Sequence, residues 1–220
     1  MPQITDIKPQ KKNPKRFNIY VDGRFAFAVS SETLVKEGLK IEQELSEEEI
    51  QRLIKENEFQ KVYDRVLNFF SYRPRSEKEL SDWFVRKEIG EEIQKMVIPK
   101  IKELGLLNDE EFARWWLEQR ATFRPAGKRL LKLELQRKGI SGDIIVKLLD
   151  CYFERSEKQG SYIAKDSEKE SAKKIAEKKL NTLKRFSGLE LKQKLSAHLV
   201  RRGFDWETVK EVVDEITGKD

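Results

Sequence analysis

The chain has 220 residues, 45 Lys or Arg against 39 Asp or Glu, a formal net charge of +6 and a mean hydropathy of -0.72. With 38% hydrophobic and 38% charged residues, the composition favours small helical units in an elongated assembly over one compact globule. No segment approaches the roughly 20 apolar residues that cross a bilayer, and the polar, basic N-terminus lacks the apolar region of a signal peptide. We therefore expect no membrane partner and a cytoplasmic location. One cysteine, Cys151, and one histidine, His198, exclude an internal disulfide and a Cys/His zinc site within one chain, so we expect no metal or other cofactor.

The first segment has the pattern of β-structure. Residues 17–21 and 25–29 carry apolar side chains at alternate positions, and Asp22-Gly23 between them has the turn chemistry of a two-residue hairpin. Residues 4–7 are predicted to add a third, edge strand. A small sheet of this kind needs a helix or a partner to cover its apolar face.

The segments that flank this hairpin are predicted to be irregular or short. Residues 8–16 are basic and contain Pro9 and Pro14, which block both a helix and a strand ladder, so we predict a loop. Residues 31–37 predict a short helix that ends at Gly38.

From Ser46 onward the periodicity is helical almost to the C-terminus. Ser46-Glu47-Glu48-Glu49 and Ser76-Glu77-Lys78-Glu79 both fit the capping box, which predicts a helix N-terminus at each serine. Asn108 and Asp205 are each followed by acidic residues, which also favours a helix N-terminus.

The most informative feature is a motif that occurs three times. Two basic residues, a turn residue and an apolar residue are found at Arg86-Lys87-Glu88-Ile89, Arg137-Lys138-Gly139-Ile140 and Arg201-Arg202-Gly203-Phe204. In every copy the positions nine and five before the apolar residue, and eight and twelve after it, are apolar as well. This spacing predicts a helix, a tight turn and a second helix, and another amphipathic helix precedes each pair.

We therefore predict a mainly α-helical fold: three tandem three-helix modules, similar to helix-turn-helix units, in an elongated array that follows a small N-terminal β-hairpin or three-stranded sheet. The predicted boundaries are residues 1–58 for the N-terminal extension with its short helices, 59–107, 108–153 and 168–220 for the three modules, and 154–167 for a polar linker.

Basic side chains recur at matching places in the modules. Each pair at a helix C-terminus is explained, taken alone, by capping and by the helix dipole. Their recurrence predicts a periodic basic stripe, and the densest patch surrounds Arg124. The candidate binding residues are Arg73, Arg75, Lys78, Arg86, Lys87, Arg120, Arg124, Lys128, Arg129, Lys132, Arg137, Lys138, Arg201 and Arg202.

These motifs resemble those of the RecX regulatory proteins, bacterial modulators of the RecA recombinase. The resemblance covers essentially the whole chain, from the Asp22-Gly23 hairpin through residues 73–80, 106–113 and 135–140 to residues 201–204. It implies tandem three-helix repeats that lodge in the groove of a RecA filament on single-stranded DNA and limit its growth, ATPase and strand exchange, with roles in DNA repair, recombination and the SOS response. The chain departs from the family pattern in its long linker, its β extension and Glu88, where the other two modules have glycine.

Two functions of different class stay open. The first is a monomeric regulator whose partners are a RecA-type recombinase filament and single-stranded DNA, with double-stranded DNA as a further candidate. The second is a tandem helix-turn-helix protein that acts directly on DNA as an architectural or transcriptional factor. The acidic helix starts at Ser76 and Asp205 favour the first, because phosphates and base-edge acceptors repel carboxylates.

We expect no enzymatic activity. The chain has no phosphate-binding GxxxxGK[ST] motif. His198 lies among apolar helix positions, which predicts a core or flanking histidine and not a general base.

Overall fold

The computed structural model describes residues 2–11, 13–158 and 168–218. The elements in chain order are β1 Ile4–Gln10, β2 Asn13–Val21, β3 Arg24–Ser30, α1 Ser31–Lys36, α2 Glu47–Ser71, α3 Glu77–Arg86, α4 Glu91–Glu103, α5 Asp109–Phe123, α6 Lys128–Arg137, α7 Gly142–Lys158, α8 Glu168–Leu180, α9 Gly188–Arg201 and α10 Trp206–Thr217. The chain divides into two compact units. The first comprises the residues up to Arg73 with Phe84–Gly105, and the second comprises Pro74–Trp83 with the residues from Leu106 onward.

The first unit contains a three-stranded antiparallel sheet in the order β1–β2–β3. The predicted hairpin is confirmed, since Asp22 and Gly23 both have positive φ, at 49° and 78°, as a primed two-residue turn requires. The apolar face of the sheet packs with Leu39, Leu45 and Leu53, so the segment after β3 and helix α2 supply its cover.

The prediction of a loop at residues 8–16 is wrong. β1 extends to Gln10, β2 begins at Asn13, and Pro9 pairs with Phe17 in the ladder. β1 is an edge strand, where a proline can turn its missing donor away from the ladder. Pro14 precedes the part of β2 that pairs with β3, which starts at Arg16.

Helix α2 begins with the predicted capping box: the Ser46 hydroxyl accepts from the Glu49 amide at 3.1 Å, and the Glu49 carboxylate accepts from the Ser46 amide at 2.7 Å. Within the first unit, α2 and α4 bury one face each. The buried residues of these faces include Val62, Val66, Phe70, Ile93, Val97 and Ile101.

In the second unit, helices α5–α7 and α8–α10 form two three-helix modules, each with its own apolar core. The motif periodicity is confirmed: of the twelve aligned apolar positions across the chain, all are buried except Tyr152 and Ile216, which are partly buried. The predicted caps at Asn108 and Asp205 are also present, with side-chain oxygens that accept from the amides of Glu110 and Thr208.

Helix α7 continues to Lys158, so the predicted linker of residues 154–167 is helical at its start. Residues 154–158 are mostly good helix formers, which extend α7 by another turn. Residues 159–167 lie outside the described part of the chain. Among the described residues, no helix is both long enough and apolar enough to cross a membrane.

Candidate binding surface at the joints between modules

Two backbone joints connect successive modules in the second unit. In the first joint, the N-terminus of α3 meets the C-terminal turn of α6. Ser76 is fully buried there; its hydroxyl donates to the Lys138 carbonyl at 2.8 Å and accepts from the Glu79 amide at 3.2 Å. The Glu77 amide donates to Asp109 Oδ1 at 2.9 Å. The acid at the start of the next module therefore caps this helix, as the helix dipole favours.

The second joint has the equivalent arrangement at the N-terminus of α6. The positions that match Ser76 and Glu77 lie 51 residues further along the chain, at Gly127 and Lys128. The Gly127 amide donates to the Arg202 carbonyl at 3.0 Å, and the Lys128 amide donates to Glu168 Oε1 at 2.9 Å. Glu168 is the first residue of α8, as Asp109 is of α5. The two joints therefore have equivalent hydrogen bonds, but the donor to the carbonyl is the Ser76 hydroxyl in the first joint and the Gly127 amide in the second.

Each joint depends on a glycine that follows the basic pair. Gly139 and Gly203 have φ of +83° and +85°, in the region that favours glycine. A Cβ added to Gly139 would lie 2.6 Å from Lys78 Cβ, and one added to Gly203 would lie 2.4 Å from Leu130 Cβ. At the matching position of the first module, Glu88 is exposed and has φ of +53°.

The two members of each basic pair have different surroundings. Arg137 and Arg201, the first members, are exposed. Lys138 and Arg202, the second members, are half-buried within the joints. In the second and third modules, packing between modules therefore explains the second residue while the first faces solvent; in the first module both Arg86 and Lys87 are exposed.

The charges of the first joint are balanced by acidic side chains. Lys138 Nζ donates to Glu79 Oε1 at 2.5 Å and lies 5.0 Å from the centre of the Trp116 ring. Glu134 accepts from Arg120 Nε at 2.8 Å, from Arg120 Nη2 at 2.5 Å and from Trp116 Nε1 at 3.0 Å. This bidentate pair and the lysine pair neutralise the basic residues of the first joint.

The second joint has a different charge balance. Arg202 Nη2 donates to the Pro125 carbonyl at 2.7 Å, and its Nε is buried with no hydrogen-bond partner among the described residues. Burial, followed by the nearby charges of Arg120 and Arg124, holds the pKa of the Arg202 guanidinium below its usual range, and Glu134 partly opposes this shift. The cationic group at the centre of this joint therefore lies near two like charges and one carboxylate.

A groove of about 470 Å³ opens beside Arg202, and we call it the basic groove. It is lined by Ala121, Thr122, Phe123, Arg124, Pro125, Lys174, Ile175, Lys178, Lys179, His198 and Arg202. These lining residues include five Lys or Arg side chains and a histidine, and no carboxylate. Burial, with Lys179, Arg202 and Arg201 as further causes, lowers the pKa of His198.

A smaller apolar hollow of about 250 Å³ adjoins the basic groove, since both are lined by Phe123 and Arg124. Trp116, Gln119 and Arg120 complete its lining. The Phe123 side chain is 74% exposed although it is a large aromatic residue. An exposed aromatic beside a cationic groove is a combination typical of nucleic-acid binding surfaces.

The structure distributes the fourteen predicted binding residues over several environments. Arg124, Arg129, Lys132, Arg137 and Arg201 are exposed in the second unit, and Arg86 and Lys87 are exposed in the first. Lys78 and Lys128 are exposed but pair with Asp82 and Asp150 at 3.2 and 2.7 Å. Arg73 and Arg75 are partly buried, and Arg75 lies 3.9 Å from Glu79. Arg120, Lys138 and Arg202 are part of the joints, as described above.

Sequence reasoning missed the contribution of the third module to the basic groove. Lys174, Lys178 and Lys179 of α8 line it, together with His198 of α9. Lys174 and Lys178 lie four residues apart and so share a helix face, which was the available signal.

Tandem three-helix modules that follow a small antiparallel sheet are a defined class of domain organisation. Comparison with known sequences identifies the family that has it. Family models match residues 2–46 as the regulatory protein RecX N-terminal domain, residues 108–149 as the second RecX three-helix domain and residues 166–213 as the third. The regulatory protein RecX of Bacillus subtilis is 36% identical over 216 residues, covering 98% of this chain and 78% of the relative. That of Clostridium perfringens is 34% identical over 222 residues, covering 100% and 99%.

Solved structures agree with this placement. A crystal structure of regulatory protein RecX covers 97% of this chain and 100% of its own with a TM-score of 0.71, at 24% identity, and so shares the fold. The crystal structure of RecX from Lactobacillus salivarius covers 72% of this chain and 96% of its own, with a TM-score of 0.59 and 25% identity. The chain belongs to the RecX family of regulatory proteins.

Proposed function

We propose that this protein regulates a RecA-type recombinase by lodging its modules in the groove of the filament that the recombinase forms on single-stranded DNA. Bound there, it limits filament growth, ATP hydrolysis and strand exchange. Membership of the RecX family supports the choice of partner, because regulation of RecA is what the family resemblance implies.

The observation that carries the proposal is the repeated joint. Two successive joints have equivalent hydrogen bonds 51 residues apart in the sequence, and a contact that repeats suits a partner that repeats as well. The exposed first arginines of the basic pairs, Arg137 and Arg201, follow that repeat. Weak contacts on successive modules then add through effective concentration.

The joints also argue against the second function, direct reading of duplex DNA by the middle helices. Ser76 is fully buried at the start of α3, and Gly127 is buried at the start of α6. A recognition helix uses its N-terminal residues to contact base edges. These two N-termini are engaged with the neighbouring module instead.

The proposal is tested by the ATPase activity of RecA on single-stranded DNA, titrated with this protein below the recombinase concentration and with excess DNA present. We expect inhibition at a substoichiometric ratio that added DNA does not relieve. Inhibition that disappears as DNA is added would replace the proposal with simple competition for DNA.

A charge-reversal variant then tests the surface. Arg124→Glu, Lys128→Glu and Arg129→Glu together should weaken filament inhibition, because these side chains form the densest exposed basic patch. The matched control reverses three exposed basic residues elsewhere in the third module, Lys184→Glu, Arg185→Glu and Lys210→Glu, with the same change in net charge. Equal inhibition by both variants and the natural protein would refute this assignment.

A further inference from the structure

Among the described residues of the second unit, the basic groove brings five cationic side chains together on a lining that contains no carboxylate. Arg124 follows α5, Lys178 belongs to α8 and Arg202 follows α9, so two modules contribute to it. In the first joint, Glu79 binds Lys138 directly. The lining of the groove therefore has an excess of positive charge.

The surroundings of Arg202 favour an anion in the groove. The guanidinium lies near Arg120 and Arg124, which disfavour its charge, and near Glu134, which favours it. Its Nη2 donates to the Pro125 carbonyl, and its Nε is buried without an acceptor among the described residues, which costs free energy. An anionic group in the groove would offset the repulsion between the guanidinium groups.

Phe123 indicates what carries the anion. Its exposed ring stands where the basic groove meets the apolar hollow next to Trp116. Unpaired bases stack on exposed aromatic side chains, and every base can do so because each has an aromatic face. The groove volume of about 470 Å³ is within the usual range for small-ligand sites.

We propose that the basic groove binds a phosphorylated nucleotide unit, with its phosphates among Arg124, Lys178 and Arg202 and its base against Phe123. The unit comes either from a strand of nucleic acid or from a free nucleoside polyphosphate. Because the groove is formed by both modules, the bound phosphate stabilises the second joint. This inference goes beyond the proposed function, since it does not require a recombinase.

Binding is linked to the protonation of His198. Burial, followed by the charges of Lys179, Arg202 and Arg201, lowers the pKa of this imidazole, and Arg124, Lys174 and Lys178 line the same groove. A bound phosphate offsets these charges and so raises the pKa of His198. Binding then takes up a proton, and affinity rises as the pH falls through the histidine range.

The first experiment measures binding to the full-length protein at several salt concentrations. The probes are an oligothymidylate with hydroxyl ends, ATP, pyrophosphate and polyglutamate. Removing two cations with Arg124→Ala and Lys178→Ala should reduce the slope of log affinity against log salt for the oligothymidylate by about 1.4. The control Lys210→Ala, on the exposed face of α10, should leave the slope unchanged.

The base contact is tested separately. Phe123→Ala should weaken oligothymidylate or ATP binding by roughly tenfold and leave pyrophosphate binding unchanged. Binding of ATP identifies a free nucleotide as the source, whereas binding of the oligothymidylate alone identifies a strand. Polyglutamate binding as tight as that of the oligonucleotide, with the same response to the double variant, would overturn the nucleotide assignment in favour of an acidic peptide.

The second experiment follows the imidazole by NMR, where the chain gives one histidine signal because His198 is its only histidine. The oligothymidylate should raise the pKa of His198, and His198→Gln should remove the pH dependence of affinity in the histidine range. The phosphodiester groups of the oligothymidylate do not titrate in the histidine range, so the probe itself takes up no proton on binding. An unchanged His198 pKa at saturating oligothymidylate would place the ligand outside the groove.

Discussion

The first joint and the second joint have equivalent hydrogen bonds and differ in what surrounds the basic residue at their centre. Lys138 in the first joint is bound by Glu79 and packs on Trp116. Arg202 in the second joint donates to a carbonyl oxygen and is crowded by other arginines. The shared part explains how modules are connected, and the difference is the basis of the binding site that we propose.

The comparison separates basic residues that pack within the joints from basic residues that face solvent. In the two pairs at the joints, the second side chain is half-buried and the first is exposed. Four predictions test this separation, from the largest expected effect to the smallest.

Gly203→Ala should have the largest effect, a loss of about 3 kcal/mol in the free energy of unfolding. The added Cβ would lie 2.4 Å from Leu130 Cβ at a φ of +85°, which combines overpacking with backbone strain. Urea unfolding followed by tryptophan fluorescence measures it, because all four tryptophans belong to the second unit. In the control Gly142→Ala, the added Cβ meets nothing within 4 Å, so we expect no loss. Equal stability of the two variants would mean that the close contact at Gly203 is not important.

Glu134→Gln should destabilise the second unit by about 2 kcal/mol. It removes the carboxylate that binds Arg120 bidentately and leaves that half-buried guanidinium without its counter-charge. Urea unfolding is again the measurement, with the exposed Glu177→Gln as the control. The variant should also gain more stability from added sulfate than the natural protein does, since the first joint then resembles the second. Absence of that gain would show that charge balance is not what distinguishes the joints.

Lys178→Glu should stabilise the second unit by up to about 1 kcal/mol while it weakens nucleotide binding. A carboxylate in the basic groove reduces the repulsion among the remaining cations. The gain is small because an exposed ion pair contributes at most about 1 kcal/mol to stability. The stabilisation should disappear at high ionic strength, where surface charges are screened. The control Lys210→Glu should change stability little in either condition. A loss of stability at low salt would contradict the view that the groove is over-charged.

Glu88→Gly should give the smallest effect, a gain of up to about 1 kcal/mol in the first unit. Glu88 has φ of +53°, a conformation that costs a side chain more than it costs glycine. Native-state hydrogen exchange of the α4 amides is the measurement, since the tryptophans report on the other unit. Glu88→Ala should give no such gain because it keeps the Cβ. If alanine and glycine stabilise equally, the backbone conformation is not the cause.

Much of the fold could be predicted because the decisive signals are local. Asp22-Gly23 defines the hairpin, Ser46 with Glu49 defines the start of α2, and the aligned leucines define the modules. The loop prediction around Pro9 was wrong because the effect of a proline depends on which strand edge it occupies, and that is a tertiary property.

The candidate site was predictable only in part. The sequence showed that the basic pairs recur, but the joint is made by the Lys138 and Arg202 carbonyls, which every residue type carries. Glu79 also has two possible roles in the sequence, as a partner in a capping box and as a partner for a lysine. The structure is needed to show that it binds Lys138 across 59 residues.

The joints have a consequence for how such chains diverge in evolution. The carbonyls of Lys138 and Arg202 are common to every residue type, so the side chains at these two positions can change without loss of the acceptors. Positions 127, 139 and 203 cannot drift in the same way, because a Cβ at each would lie within 2.6 Å of an atom of the neighbouring module. Purifying selection should therefore fall on three glycines, while the residues that give each descendant its own binding preference remain free to vary.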